Sequence, residues 1–133
     1  MLSIDHLADK VVSEAVSFKA SDIHIVPSRK ETHLYYRIHN RLFSGGSYQK
    51  ERADRLVSHF KFMAGMDIGE KRRPQSGALT MFIAKRWIGL RLSTLPTPYA
   101  ESLVIRIIPN LQTLPIDEIS LFPKTSATLI SML

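Results

Sequence analysis

WIGLRLS at residues 87–93 and SLVIRII at residues 102–108 decide the fold. Both alternate. Ile88, Leu90 and Leu92 fall on one side of the first run, and Gly89, Arg91 and Ser93 on the other. In the second, Leu103, Ile105 and Ile107 oppose Val104 and Arg106. Side chains of a strand point alternately to its two faces, so each run is a strand with one apolar face and an arginine off it. An antiparallel pair folded about Pro98 and Tyr99 sets Arg91 beside Arg106. Like charges directly opposite each other destabilise a sheet pair, unless a carboxylate or a phosphate lies between them. An arginine fork suits a phosphate because it donates two parallel hydrogen bonds and keeps its charge. From spacing alone, two solvated surface arginines, or arginines paired to Glu101 and a nearby acid, are the preferred account of the pattern.

Outward from this pair the chain divides into helices and strands. Ile4, Leu7, Ala8, Val11, Val12 and Ala15 recur at the helical period, predicting an amphipathic helix over 4–19 with Ser3 as N-cap. A short strand follows at 23–26 and an alternating one at 32–38, with Leu34, Tyr36 and Ile38 on one face and His33, Tyr35 and Arg37 on the other. His39-Asn40-Arg41 reads as a tight turn into Leu42-Phe43, and Ser44–Ser47 as a flexible break. A second helix is expected over 48–65, with Gly65 as C-cap. Residues 67–77 read as a charged loop, Ala78–Ile83 as a further strand, Lys85-Arg86 as a turn, and 94–101 as a Pro-containing link. The order, helix–strands–helix–strands without internal repeats, predicts an α+β domain with a mainly antiparallel sheet flanked by helices.

Composition narrows the chemistry. At 133 residues with 44% apolar content, the chain can bury a core. No apolar run approaches a bilayer span, and the first residues lack a secretory pattern, which points to a cytoplasmic domain. Without cysteine there is no disulfide, iron–sulfur cluster, thiolate zinc site or cysteine nucleophile. His6, His24, His33, His39 and His59 show no zinc-binding spacing, so no metal site is expected. His24, between Ile23 and Ile25, reads as a hydrogen-bonded structural histidine. No GxxxxGK[ST], GxGxxG or GxSxG run is present. The net charge of +6 lies in residues 50–91, where ten Lys/Arg face four acids against eight and eight elsewhere. Such a stretch favours an anionic partner. One reading is a stand-alone nucleic-acid-binding module contacting its ligand through Arg52, Arg55, Lys71, Arg72, Arg73, Lys85 and Arg86, although interleaved exposed aromatics are not evident.

Several colinear stretches carry a sharper signal. ASDIHIVP at 20–27, FMAGMDIGEKR at 62–72, PQSG at 74–77, LRLSTLPT at 90–97 and ESLVIR at 101–106 resemble the motifs of the type II secretion and type IV pilus assembly ATPases. Tyr36-Arg37-Ile38-His39 is similar to that family's hairpin element, with His39-Asn40 in place of Asp-Gly, and Ala100 replaces the Gly before Glu101. LVSHFKF at 56–62, SLVIRI at 102–107 and ISLFPKT at 119–125 resemble the family's late competence branch, which drives assembly of a pseudopilus for DNA uptake. The resemblance implies a PAS-like N-terminal domain over 1–109, an interdomain linker over 110–123 and the start of a truncated C-terminal ATPase domain over 124–133. It implies a homohexamer when intact, working against a membrane platform protein at the inner face of the cell membrane, with no specific nucleic-acid partner. It also implies that Arg91 and Arg106 reach the phosphates of ATP, held with Mg²⁺ mainly by the ATPase domain. Arg73, Pro74, Gln75 and Glu101 become candidate interdomain or subunit contacts. A chain without Walker A and B motifs is expected to be inactive alone.

Overall fold

The computed structural model describes residues 3–109. Along the chain run α1 (Ile4–Ser17), β1 (Asp22–Pro27), β2 (Glu31–Ile38), β3 (Arg41–Gln49), α2 (Lys50–Met63), β4 (Gln75–Ile83), β5 (Arg86–Pro96) and β6 (Glu101–Ile108). The strands form one sheet in the order β3-β2-β1-β6-β5-β4, and every neighbouring pair is antiparallel. The expected α+β class and antiparallel sheet are therefore both found. The expectations for 110–123 and 124–133 lie outside the described residues.

Both helices contribute to a single core against one sheet face. That core joins Leu7, Val11 and Val12 of α1 and Leu56, Val57 and Phe60 of α2 to Ile23, Leu34, Leu90, Leu92, Leu103 and Ile105 of the sheet. β-branched valines cost a helix at most about 0.7 kcal/mol each. Burying such a side chain contributes about 1.5–3 kcal/mol. Packing therefore decides in favour of helix at Val11 and Val12, which are 1% and 0% exposed. The opposite face of the sheet carries no helix among the described residues.

The ends of the elements follow from capping. Ser3 caps α1 as expected, its hydroxyl accepting from the His6 amide. Both helices stop earlier than periodicity implies, in the same double bond pattern. In α1 the Ala20 amide donates to the Ala15 carbonyl and the Lys19 amide to Val16. In α2 the Met66 amide donates to Lys61 and the Gly65 amide to Phe62. This closing pattern requires a left-handed residue, Lys19 at φ 59° and Gly65 at φ 70°.

The supposed break at Ser44–Ser47 is instead part of β3. A bulge lies there, because Leu34 pairs with Gly46 and Tyr35 with Ser44, leaving Gly45 as the extra residue. Gly45 passes so close to the Tyr36 ring that a Cβ would lie 2.8 Å from it. The absence of that Cβ keeps the strand continuous. β4 starts at Gln75, so the charged loop ends three residues earlier than expected, and β5 and β6 run on until only Thr97–Ala100 links them. That link is tied by Thr97, whose hydroxyl donates to the Ala100 carbonyl and accepts from the Tyr99 and Ala100 amides. The two-residue hairpin turns at His39-Asn40 and Ala84-Lys85 have positive φ at both positions, the twist that matches flanking strands. Arg86, expected in the turn, is the first residue of β5.

Candidate functional site

The helix-free face of the sheet carries a row of charge across four adjacent strands. On β5 and β6, Arg91 lies opposite Arg106. On β6 and β1, Arg106 lies opposite Asp22, and on β1 and β2, Asp22 lies opposite Arg37. Directly paired residues of an antiparallel sheet stand about 5 Å apart at Cα. The row therefore reads Arg37–Asp22–Arg106–Arg91, three guanidiniums to one carboxylate.

The members differ in how they are held. Asp22 is the buried one, 5% exposed. Its Oδ1 accepts from Arg106 Nε at 3.3 Å, and its Oδ2 accepts from the Ser21 hydroxyl at 2.7 Å. Arg37 Nε stands 3.8 Å from the same Oδ2, an ion pair without a hydrogen bond. The Arg106 side chain is 70% exposed, so solvent screens its pairing with Asp22 and the pair adds little stability, within the roughly 0–1 kcal/mol of surface ion pairs. Its geometric consequence is larger. Holding the guanidinium by Nε leaves the fork formed by the two terminal nitrogens free. Arg91 is exposed and has no ion-pair or hydrogen-bond partner among the described residues. Two arginines at directly paired positions, each with an open fork, can receive a phosphate group in bidentate fashion.

His24 lies on β1 two residues from Asp22, between Tyr35 and Val104. The expected hydrogen bond is not found: its Nε2 is buried without a partner. Its cross-strand neighbour Val104 has no polar side-chain group to meet it. Loss of hydration, then the positive charge of Arg37, lower its pKa, against an opposing pull from Asp22. The ring is thus biased towards the neutral form beside the arginines.

The other expected site residues lie away from this row. Glu101 is not a partner of either arginine. Its carboxylate accepts from Lys61 Nζ at 2.9 and 3.0 Å, and the two side chains are 6% and 1% exposed. The third Lys61 proton goes to the Glu70 carbonyl at 2.9 Å. Lys61, counted above with the basic stretch, is therefore a buried strut between α2, the charged loop and β6. Gln75 braces the same loop. Its side-chain oxygen accepts from the Asp67 amide, and its Nε2 donates to the Asp67 and Glu70 carbonyls. Arg73 and Pro74 are exposed at the start of that brace. The remaining basic groups of the central stretch are dispersed over α2, the loop, the β4–β5 turn and the first residue of β5.

Asp22, Arg37 and Lys61 are the residues that sequence reasoning missed. A signal for the first two was present. Arg37 was assigned to the off-core face, and pairing β1 with β2 about Pro27–Glu31 sets it opposite Asp22. Lys61 carried only a weak signal, a polar residue next to the apolar stripe of α2.

Comparisons with known proteins place the chain in a family. The chain is 47% identical over its whole length to a protein named Competence protein ComGA of Bacillus subtilis, and covers 37% of it. It is 38% identical over its whole length to a protein of the same name in Halalkalibacterium halodurans, covering 38% of that one. Over 105 residues, 79% of the chain, it is 40% identical to Type II secretion system protein E of Dickeya dadantii, covering 21% of that protein. The chain thus spans little more than a third of the relatives it matches along its full length. The profile of the Type II/IV secretion system protein family matches residues 2–133, and the chain belongs to that family.

Proposed function

We propose that this chain is the N-terminal, PAS-like domain of a traffic ATPase that assembles a competence pseudopilus for DNA uptake. Its task is to bring Arg91 and Arg106 to the phosphates of ATP bound with Mg²⁺ by a C-terminal RecA-like domain. The observation that carries this reading is the pairing of Arg91 with Arg106 on the helix-free face, where Arg91 has no acidic partner among the described residues. That arrangement costs stability in isolation and becomes favourable against an anion. Guanidiniums aimed at the transferred group stabilise charge that develops in its transition state, an effect of about 10³-fold or more in rate. The relatives named for competence and type II secretion support the same reading.

The intact protein would act as a hexamer at the inner face of the membrane and pass domain motion to a platform protein. Arg73 and Pro74, exposed at the loop, are suited to a contact with a neighbouring domain or subunit. Gln75 and Glu101 would serve that contact indirectly, by holding the loop in shape.

Two measurements test the proposal. The gene downstream of Leu133 should encode a GPTGSGK-like run within a few tens of codons, and a stop codon there refutes the reading. In the full-length protein, Arg91→Ala and Arg106→Ala should each reduce ATP turnover by at least about 10-fold while the domain stays folded. Wild-type turnover in both variants rules out the phosphate role.

A further inference from the structure

We infer that Asp22 is a positioning residue for the anion site: it fixes the Arg106 guanidinium by its Nε so that the two terminal nitrogens face outward. The inference rests on the phosphate role proposed above for Arg106.

Asp22 is a buried carboxylate at the start of the short strand β1, in the middle of the charged row. Its two oxygens are used separately. Oδ1 takes the Arg106 Nε proton, while Oδ2 takes the Ser21 hydroxyl proton and faces Arg37. Ser21 is itself anchored between strands, its amide donating to the Arg37 carbonyl and its carbonyl accepting from the Ile107 amide. The carboxylate therefore cannot follow Arg106 outward, and it defines where that side chain pivots. An arginine gripped at Nε keeps four of its five protons for a ligand, in the planar fork that matches a phosphate edge.

A purely electrostatic role for Asp22 predicts the opposite result. A carboxylate close to two phosphate-seeking arginines lowers the local positive potential, and removing it would then improve anion binding. Positioning predicts a loss, because an arginine displaced by even about 1 Å can forfeit up to about 10²-fold in rate. The sign of the effect separates the two.

The test uses the full-length protein with Asp22→Asn and Asp22→Ala, each alone and combined with Arg106→Ala. The amide of Asn keeps the shape and a weaker acceptor, so this variant folds if Ala does not. The expected losses in kcat are about 3-fold for Asn and about 10-fold for Ala, with KM for ATP changed by less than about 3-fold. In the Arg106→Ala background both losses should vanish, since Asp22 acts only through Arg106. A structural role would instead persist in both backgrounds. A readout independent of turnover is the Arg106 Nε–H resonance of the 133-residue chain, identified by its loss in Arg106→Lys. It should be protected from solvent exchange in the wild type and exchange-broadened when Asp22 is replaced. Full losses persisting in the Arg106→Ala background, tighter ATP binding in Asp22→Asn, or an unchanged Nε–H signal in both Asp22 variants each overturn the inference. If Arg106→Ala alone turns over at the wild-type rate, the phosphate role falls for Arg106 and this inference falls with it, while the reading for Arg91 is decided by Arg91→Ala. If Arg106→Ala is impaired and Asp22→Asn and Asp22→Ala are not, only the inference falls.

Discussion

At the scale of single residues, the least replaceable contact is the buried pair of Lys61 and Glu101. Lys61 spends all three ammonium protons inside the protein, two on the carboxylate and one on the Glu70 carbonyl. Removing one member of a buried pair leaves the other charged and unsolvated, which costs about 3–5 kcal/mol. Lys61→Met should therefore lower the urea midpoint sharply, and adding Glu101→Gln should recover a large part of the loss. A Lys61→Met loss below about 1 kcal/mol would show that the carboxylate finds water or another cation. The same pair shows why the charge arithmetic of the sequence overstated the basic surface. Lys61 counted towards the central excess, yet it is buried and neutralised. No local pattern marks a lysine as internal when its acid lies forty positions away in sequence.

At the scale of elements, α1 and α2 offer a controlled comparison. Both end in the same pair of backbone bonds and both need one left-handed residue, but α2 supplies Gly65 and α1 supplies Lys19. A residue with a Cβ in that conformation costs about 1–2 kcal/mol. Part of the gain on mutation to glycine is offset by the greater freedom of the unfolded chain. Lys19→Gly should therefore raise stability by about 0.5–1 kcal/mol, while Gly65→Ala should lower it by about 1 kcal/mol. Opposite shifts in thermal midpoint check both, and a fall in Lys19→Gly would contradict the capping account. The strands and helices were legible because burial imposes periods of two and 3.6 on sequence. Even the Arg91–Arg106 register followed from placing the midpoint of the link at Pro98 and Tyr99. What escaped was set by neighbours out of local view. β3 was lost at its glycines because its face is nearly all exposed and its pairing to β2 supplies the order. Asp22 escaped because its importance comes from lying between two strands whose adjacency only the topology reveals.

At the scale of the whole molecule, the question is whether the face that carries the arginines is as firmly built as the face that carries the core. Each strand of the charged row also supplies the core from its other side: Ile23 beside Asp22, Tyr36 beside Arg37, Ile105 beside Arg106, and Leu90 and Leu92 flanking Arg91. The row therefore cannot loosen without opening the core. β3 is different. None of its residues is fully buried, and it occupies an edge of the sheet. These facts predict one cooperative transition for the helices and the five strands from β2 to β4 in sheet order, with β3 free to open locally. Helix content followed by circular dichroism reports α1 and α2. Fluorescence of Trp87, the single tryptophan, reports the β4–β5 hairpin, where its ring meets Phe82 at 5.2 Å. The two urea midpoints should coincide, with a slope of about 1–2 kcal/mol per molar. In native-state hydrogen exchange, amides of β3 should exchange earliest among the strands, and those of β1 and β6 last. Separate midpoints would mean that the hairpin bearing Arg91 melts apart from the strands bearing Asp22 and Arg106. The guanidiniums would then no longer be held in one frame, and the sheet could not present them together to a single anion.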